Sequence, residues 1–134
     1  MTWKEFEDLA REKMSQHFGV KLARCQKGQF CKQFDMVSAD GTVLGDAKFL
    51  TLVRGIQIPP AKFMEIAGHV WMLQGSTAQR RFLVFGNQRD VPREWLQRYG
   101  RLVQNVEFYF LAADGKLESL NVEMTPGPLA DTSH

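Results

Sequence analysis

Residues 80 to 86, Arg80-Arg81-Phe82-Leu83-Val84-Phe85-Gly86, have an apolar centre with no alternation. A strand reads this way when both of its faces are covered. The run sits between two helix-like stretches, each with proline near its start. Pro59 and Pro60 suit the first turn of a helix running through Ala61 to Gln74 and stopping at Gly75. Pro92 opens a second helix that Gly100 interrupts. Strand, crossover helix, strand in mid-chain favours an α/β (α+β) fold, a mixed central sheet flanked by helices, over an all-β barrel.

The flanking segments extend this plan. From Trp3 to Phe18, apolar residues recur at helical spacing, with Trp3, Phe6, Ala10, Met14 and Phe18 on one side. Thr2 with Glu5 forms a capping box, and Gly19 is a stop. Residues 20–24 alternate like a short strand, and residues 25–33 read as a polar loop. Residues 34–38 and 42–50 are two strands around Asp40-Gly41, a hairpin signal. Residues 106–112 and 116–122 close the chain as a second hairpin around Asp114-Gly115. The order is helix, three strands, helix, strand, helix, two strands. Length and composition, 134 residues with 44% hydrophobic and 24% charged, point to one domain over residues 1–125, followed by a flexible tail at 126–134.

No stretch approaches the length of a membrane span, and the charged amino terminus lacks the apolar block of a signal peptide, which points to a cytoplasmic protein with no membrane partner. In that compartment Cys25 and Cys31 read as free thiols. Zinc would need four ligands, and His17, His69 and His134 are scattered. The net charge of +2 is unevenly spread: residues 46–101 hold nine Lys or Arg against four Asp or Glu. That excess is either a face for anions or a solvated mixture of charges.

Against this background, Asp35, Asp46 and Lys48 ask for a chemical reason. Charged residues on core-building strands are rarely buried unless paired or metal-bound. Side chains alternate along a strand, so Asp46 and Lys48 project from one face. Two carboxylates from neighbouring strands make a site for Mg²⁺, with Mn²⁺ as substitute, and a lysine beside them could position water or neutralise charge on a phosphoryl group. The same three residues could equally form an ion pair at a sheet end.

A helix, a strand, a hairpin carrying Asp35 on its first strand and Asp46-Ala47-Lys48 on its second, then a helix and a strand, resembles the PD-(D/E)XK nuclease superfamily over about residues 3–86. Phe34 stands where the motif has proline. The resemblance implies a restriction-endonuclease-like αβββαβ core, here followed by the further helix and closing hairpin. It implies that Asp35, Asp46 and Ala47 hold Mg²⁺, and that Lys48 supports phosphodiester hydrolysis leaving a 5′-phosphate and a 3′-hydroxyl. Many members add a glutamate from the first helix, and Glu7, at the margin of the apolar face, is that candidate, though it also reads as a solvated residue favoured by the helix dipole.

Arg54, Lys62, Arg80 and Arg81 are the basic residues nearest this core in sequence and the candidates for phosphate contacts, which Arg89, Arg93, Arg98 and Arg101 could extend. Lys62, Glu65 and His69 form one stripe on their helix, facing either the site or solvent. Trp71, Trp95, Phe63 and Tyr99 read as packing residues. The expectation is a DNA nuclease, with a non-cutting domain that binds nucleic acid or protein, or a structural subunit, as alternatives. A chain this short suits a homodimer, for which the closing hairpin offers an edge.

Overall fold

In the computed structural model, which describes residues 1–26, 28, 30, 33–50 and 60–121, six strands form one sheet in sequence order. The elements are α1 (Trp3–Phe18), β1 (Leu22–Ala23), β2 (Met36–Ser38), β3 (Val43–Leu50), α2 (Pro60–Gln74), β4 (Arg80–Asn87), α3 (Asp90–Tyr99), a 3₁₀ turn (Gly100–Leu102), β5 (Glu107–Leu111) and β6 (Leu117–Ser119). β1, β2 and β3 pair antiparallel, β3, β4 and β5 parallel, and β5 and β6 antiparallel. This is the mixed sheet flanked by helices, in the element order read from the sequence. Arg54, Cys31, His134 and the 126–134 tail lie outside the described residues.

The two faces of the sheet are covered by different helices. Alternation along β4 sends Phe82 and Val84 to a cluster with Phe6, Ala10 and Met14 of α1. Leu83 and Phe85 go to the opposite cluster with Phe63, Ile66, Val70 and Leu73 of α2 and Val91, Trp95 and Leu96 of α3. Thus β4 is buried on both faces, which explains its unalternated apolar run. The α2 and α3 crossovers both move the chain one strand along in the same direction, so crossovers of one hand place both helices on one face. Trp95 ties them together, its indole Nε1 donating to the Phe63 carbonyl at 3.1 Å.

The local signals act as their chemistry requires. Thr2 and Glu5 complete the capping box, the Glu5 carboxylate accepting from Thr2 N at 2.7 Å and the Thr2 hydroxyl from Glu5 N at 3.1 Å. Gly19 ends α1 with φ 71°. In the β2–β3 hairpin the Asp40 carboxylate accepts from Thr42 N, Thr42 Oγ1 and Ser38 Oγ while Gly41 takes φ 75°.

Three sequence expectations are corrected. Trp71 is not a packing residue: it is 73% exposed, on the side of α2 turned away from the sheet. Trp3 is likewise exposed, because it lies in the first turn, beyond the part of α1 that covers the sheet. Asp35 does not sit on β2 but immediately before it, since the β2–β3 pairing stops at Met36 and Gly45.

Close approach of α1 to the sheet requires glycine at 86: a Cβ there would lie 2.3 Å from the Phe6 ring. Gly86→Ala should therefore destabilise the protein by about 1–3 kcal/mol in urea denaturation. Combining it with Phe6→Leu should cost less than the sum of the two changes; strict additivity would show that the ring is not what the methyl meets.

Candidate active site

The site begins where the β2–β3 ladder ends. Beyond Met36 and Gly45 the backbone N–H groups of Asp35 and Ala47 have carboxylates as their acceptors. Asp35 N donates to Asp46 Oδ1 at 2.8 Å, and Ala47 N donates to Asp35 Oδ2 at 2.9 Å. Each aspartate thus caps the other's strand. An amide or hydroxyl could accept the same two N–H groups without bringing charge, so hydrogen bonding alone does not explain why both are carboxylates.

Their proximity has an electrostatic cost. Asp46 is 1% exposed and Asp35 half-buried. Burial, followed by the adjacent Asp46 charge, pushes the Asp35 carboxyl up to about 7, against the pull of the Ala47 N–H. The Glu7 charge and a side-chain hydrogen bond with Asp46 add to the rise.

Glu7 is the sequence-predicted acid from α1, and it is buried on the same side as the apolar face. Its Oε1 lies 3.4 Å from the Arg11 guanidinium and 3.5 Å from that of Arg24, a residue the sequence did not single out.

Asp46 and Lys48 share the face of β3 that α2 covers, and the stripe on α2 faces them rather than solvent. His69 Nδ1 lies 2.7 Å from Asp46 Oδ2. Glu65 Oε2 accepts from Lys48 Nζ at 3.1 Å, and Glu65 Oε1 from Lys62 Nζ at 3.3 Å. Glu65 and His69 thereby enter the site, which their i, i+4 spacing allowed and only the docking of α2 decided.

The arginines behave differently from Lys62. Arg80 is bidentate to Glu107, at 3.0 and 2.7 Å, with its guanidinium 4.6 Å from the centre of the Phe18 ring. Arg81 donates to the carbonyls of Ala78, Gln74 and Ser76, holding the chain end of α2. In the parallel register Arg80 stands beside Val43 and Arg81 beside Leu44, whereas Lys48 stands beside Phe85. Four residues of strand, about 13 Å, separate Arg81 from the level of Lys48. An open cleft of about 660 Å³ lies at that far end, lined by Arg80, Arg81, Arg98 and Arg101 among others. Asp35 and Asp46 do not line it.

Among the described residues, no three His, Cys, Asp or Glu side chains converge as a metal cage. A cage is not what Mg²⁺ requires: it takes one or two carboxylates and keeps several waters. Asp35 and Asp46 are two carboxylates that could serve so. The Ala47 carbonyl can add a third oxygen, since a strand residue directs its N–H and C=O to the same side and the Ala47 N–H points at Asp35. A divalent cation would also offset the like charges that raise the Asp35 pKa.

A carboxyl raised above its unfolded value contributes stability that is complete below about pH 4 and is lost as pH rises to about 7. In EDTA, Asp35→Asn should therefore be the more stable protein at pH 8 and lose that advantage near pH 4. The full shift corresponds to roughly 4 kcal/mol, and solvent access at Asp35 reduces the expected gain to on the order of 1–2 kcal/mol. Denaturant titrations of both proteins at the two pH values measure it; equal differences at both would exclude a raised Asp35.

No family model, no curated protein and no solved structure matches this chain.

Proposed function

We propose that this protein is a small metal-dependent nuclease of the PD-(D/E)XK type that hydrolyses phosphodiester bonds in DNA. The observation that carries the reading is the pair of carboxylates, Asp35 and Asp46, held together at a ladder end with Lys48 two residues further along the same strand face. A bound Mg²⁺ or Mn²⁺ would supply Lewis-acid stabilisation of a phosphoryl oxygen and a more acidic water.

The chain's own residues divide the remaining work. Asp35, Asp46 and the Ala47 carbonyl would hold the cation, and Glu7 would add negative charge from α1. Lys48 places its cation beside the carboxylates, where it can neutralise charge that grows on the phosphoryl group or orient the attacking water. Lys62, joined to Lys48 through Glu65, and the exposed Arg24 on the α1 side are placed to meet phosphates flanking the scissile one. Arg80 and Arg81, tied to Glu107 and to the end of α2, contribute less to this surface than their sequence position suggests.

The same reading takes the protein as a homodimer. Met64 and Trp71 leave the outer face of α2 apolar and exposed beside Leu102, a patch of a kind that proteins bury against a partner. Light scattering at micromolar concentration tests this; a monomer would remove the dimer and leave the chemistry untouched.

With Mg²⁺ or Mn²⁺ the purified protein should cleave at least one of single-stranded, duplex, flap and branched DNA. Asp46→Asn and Lys48→Ala should each lower the rate by about 100-fold or more. Cleavage by both variants at the wild-type rate would sink the assignment. Salt-sensitive DNA binding with no cleavage and no metal requirement would instead support a non-cutting domain, a reading favoured by the lack of a third clustered acid among the described residues.

A further inference from the structure

The contacts between α2 and β3 follow one rule. Four residues of helix rise about 6.0 Å, and two residues of strand rise about 6.6 Å. When a helix lies antiparallel on a strand, i, i+4 on the helix can therefore track i, i−2 on the strand with little drift. Glu65 meets Lys48 and His69 meets Asp46 on this spacing. The next step gives Leu73 and Leu44, both wholly buried in the same core cluster.

The apolar end of this ladder fixes the helix on the sheet. The polar end then puts one hydrogen-bonding group behind each of the two β3 side chains that the proposed chemistry uses. Asp46 has its two oxygens occupied in different directions: Oδ1 accepts from the Asp35 backbone at 2.8 Å, and Oδ2 faces His69 at 2.7 Å. Two constraints on the two oxygens define the plane of the carboxylate. Lys48, the most flexible side chain of the group, is held by one Glu65 oxygen, while the other takes Lys62.

We propose that Glu65 and His69 are positioning residues, matched as Glu-x-x-x-His on α2 to Asp-x-Lys on β3, with His69 orienting Asp46 for the cation and Glu65 orienting Lys48 toward the phosphate. This rests on the nuclease reading. It deepens that reading by giving the helix a function that the strand motif does not contain. A carboxylate fixed at both oxygens before the cation arrives loses less rotational freedom on binding, and groups that orient metal ligands typically contribute 10- to 100-fold in metal affinity.

The test uses Mn²⁺ alone, with the full chain and no DNA, in titration calorimetry. His69→Leu should weaken Mn²⁺ binding by about 10- to 100-fold. His69→Asn keeps an N–H donor near the position of Nδ1 and should restore affinity to within about threefold of wild type. A merely structural role would not give rescue that follows the donor. Unfolding in EDTA should be cooperative in both variants, and a His69→Leu protein that fails to fold leaves the comparison of His69→Asn with His69→Phe to decide.

For Glu65 the readout is steady-state cleavage. Glu65→Ala should lower kcat by about tenfold with KM and Mn²⁺ affinity unchanged, and Glu65→Gln, which still accepts from Lys48, should recover most of the loss. Equal Mn²⁺ affinity in wild type, His69→Leu and His69→Asn would overturn the role of His69 while leaving the nuclease reading intact. Unchanged kcat in Glu65→Ala would do the same for Glu65. A wild-type protein that binds no divalent cation would overturn the metal reading itself, and the positioning roles with it.

Discussion

Two like charges held together at the end of a sheet ladder are the constraint on which this molecule turns. Asp35 and Asp46 each accept a backbone N–H from the other's strand, so the place where β2 leaves β3 is also the place where their carboxylates meet. The N–H groups are satisfied and a cost remains: burial first, and the Asp46 charge second, push the Asp35 carboxyl up to about 7. A fold that needed only hydrogen-bond acceptors there would be more stable with amides. Retaining two acids at such a point is the kind of local cost that proteins concentrate at functional sites.

The rest of the architecture serves to hold that point. β4, buried on both faces, fixes β3 through eight registered pairs and gives α1 and α2 opposite surfaces to cover. Phe6 of α1 packs so closely on Gly86 that no side chain fits between them, and the next residue of the same helix, Glu7, places its charge where Asp35 feels it. On the other face, Leu73 and Ile66 of α2 are buried against the sheet while Glu65 and His69 of the same helix reach Lys48 and Asp46. Apolar packing therefore sets the positions of the polar groups, since the packed residues and the polar ones share rigid elements.

Much of this was legible in the chain. The unalternated run at 82–85 required a strand covered on both sides, and Asp40-Gly41 fixed a hairpin, with Asp46 and Lys48 on one face of its second strand. The margin position of Glu7 on its helical wheel was enough to bring it near the acids. Nearness in sequence to β3 does not bring Arg80 and Arg81 level with Lys48, because a parallel strand returns to its partner's beginning, and Glu107 and the carbonyls at the end of α2 engage the two side chains there. Trp71 was read as packing because an aromatic on an apolar helix ordinarily is; the sheet meets the side of α2 that carries Phe63, Ile66, Val70 and Leu73, and Trp71 points away.

By itself, then, the sequence determined the elements, their order and the placing of Asp46 and Lys48 on one face of a strand next to Asp35, because these follow from local periodicity and turn residues. Only the tertiary structure decided that Asp35 stands one residue outside its strand, that each aspartate accepts an N–H from the other's segment, and that Glu65 and His69 reach Lys48 and Asp46. Those facts depend on where a ladder stops and which side of a helix meets the sheet. Both are settled by packing between segments distant in the chain, which no local pattern encodes.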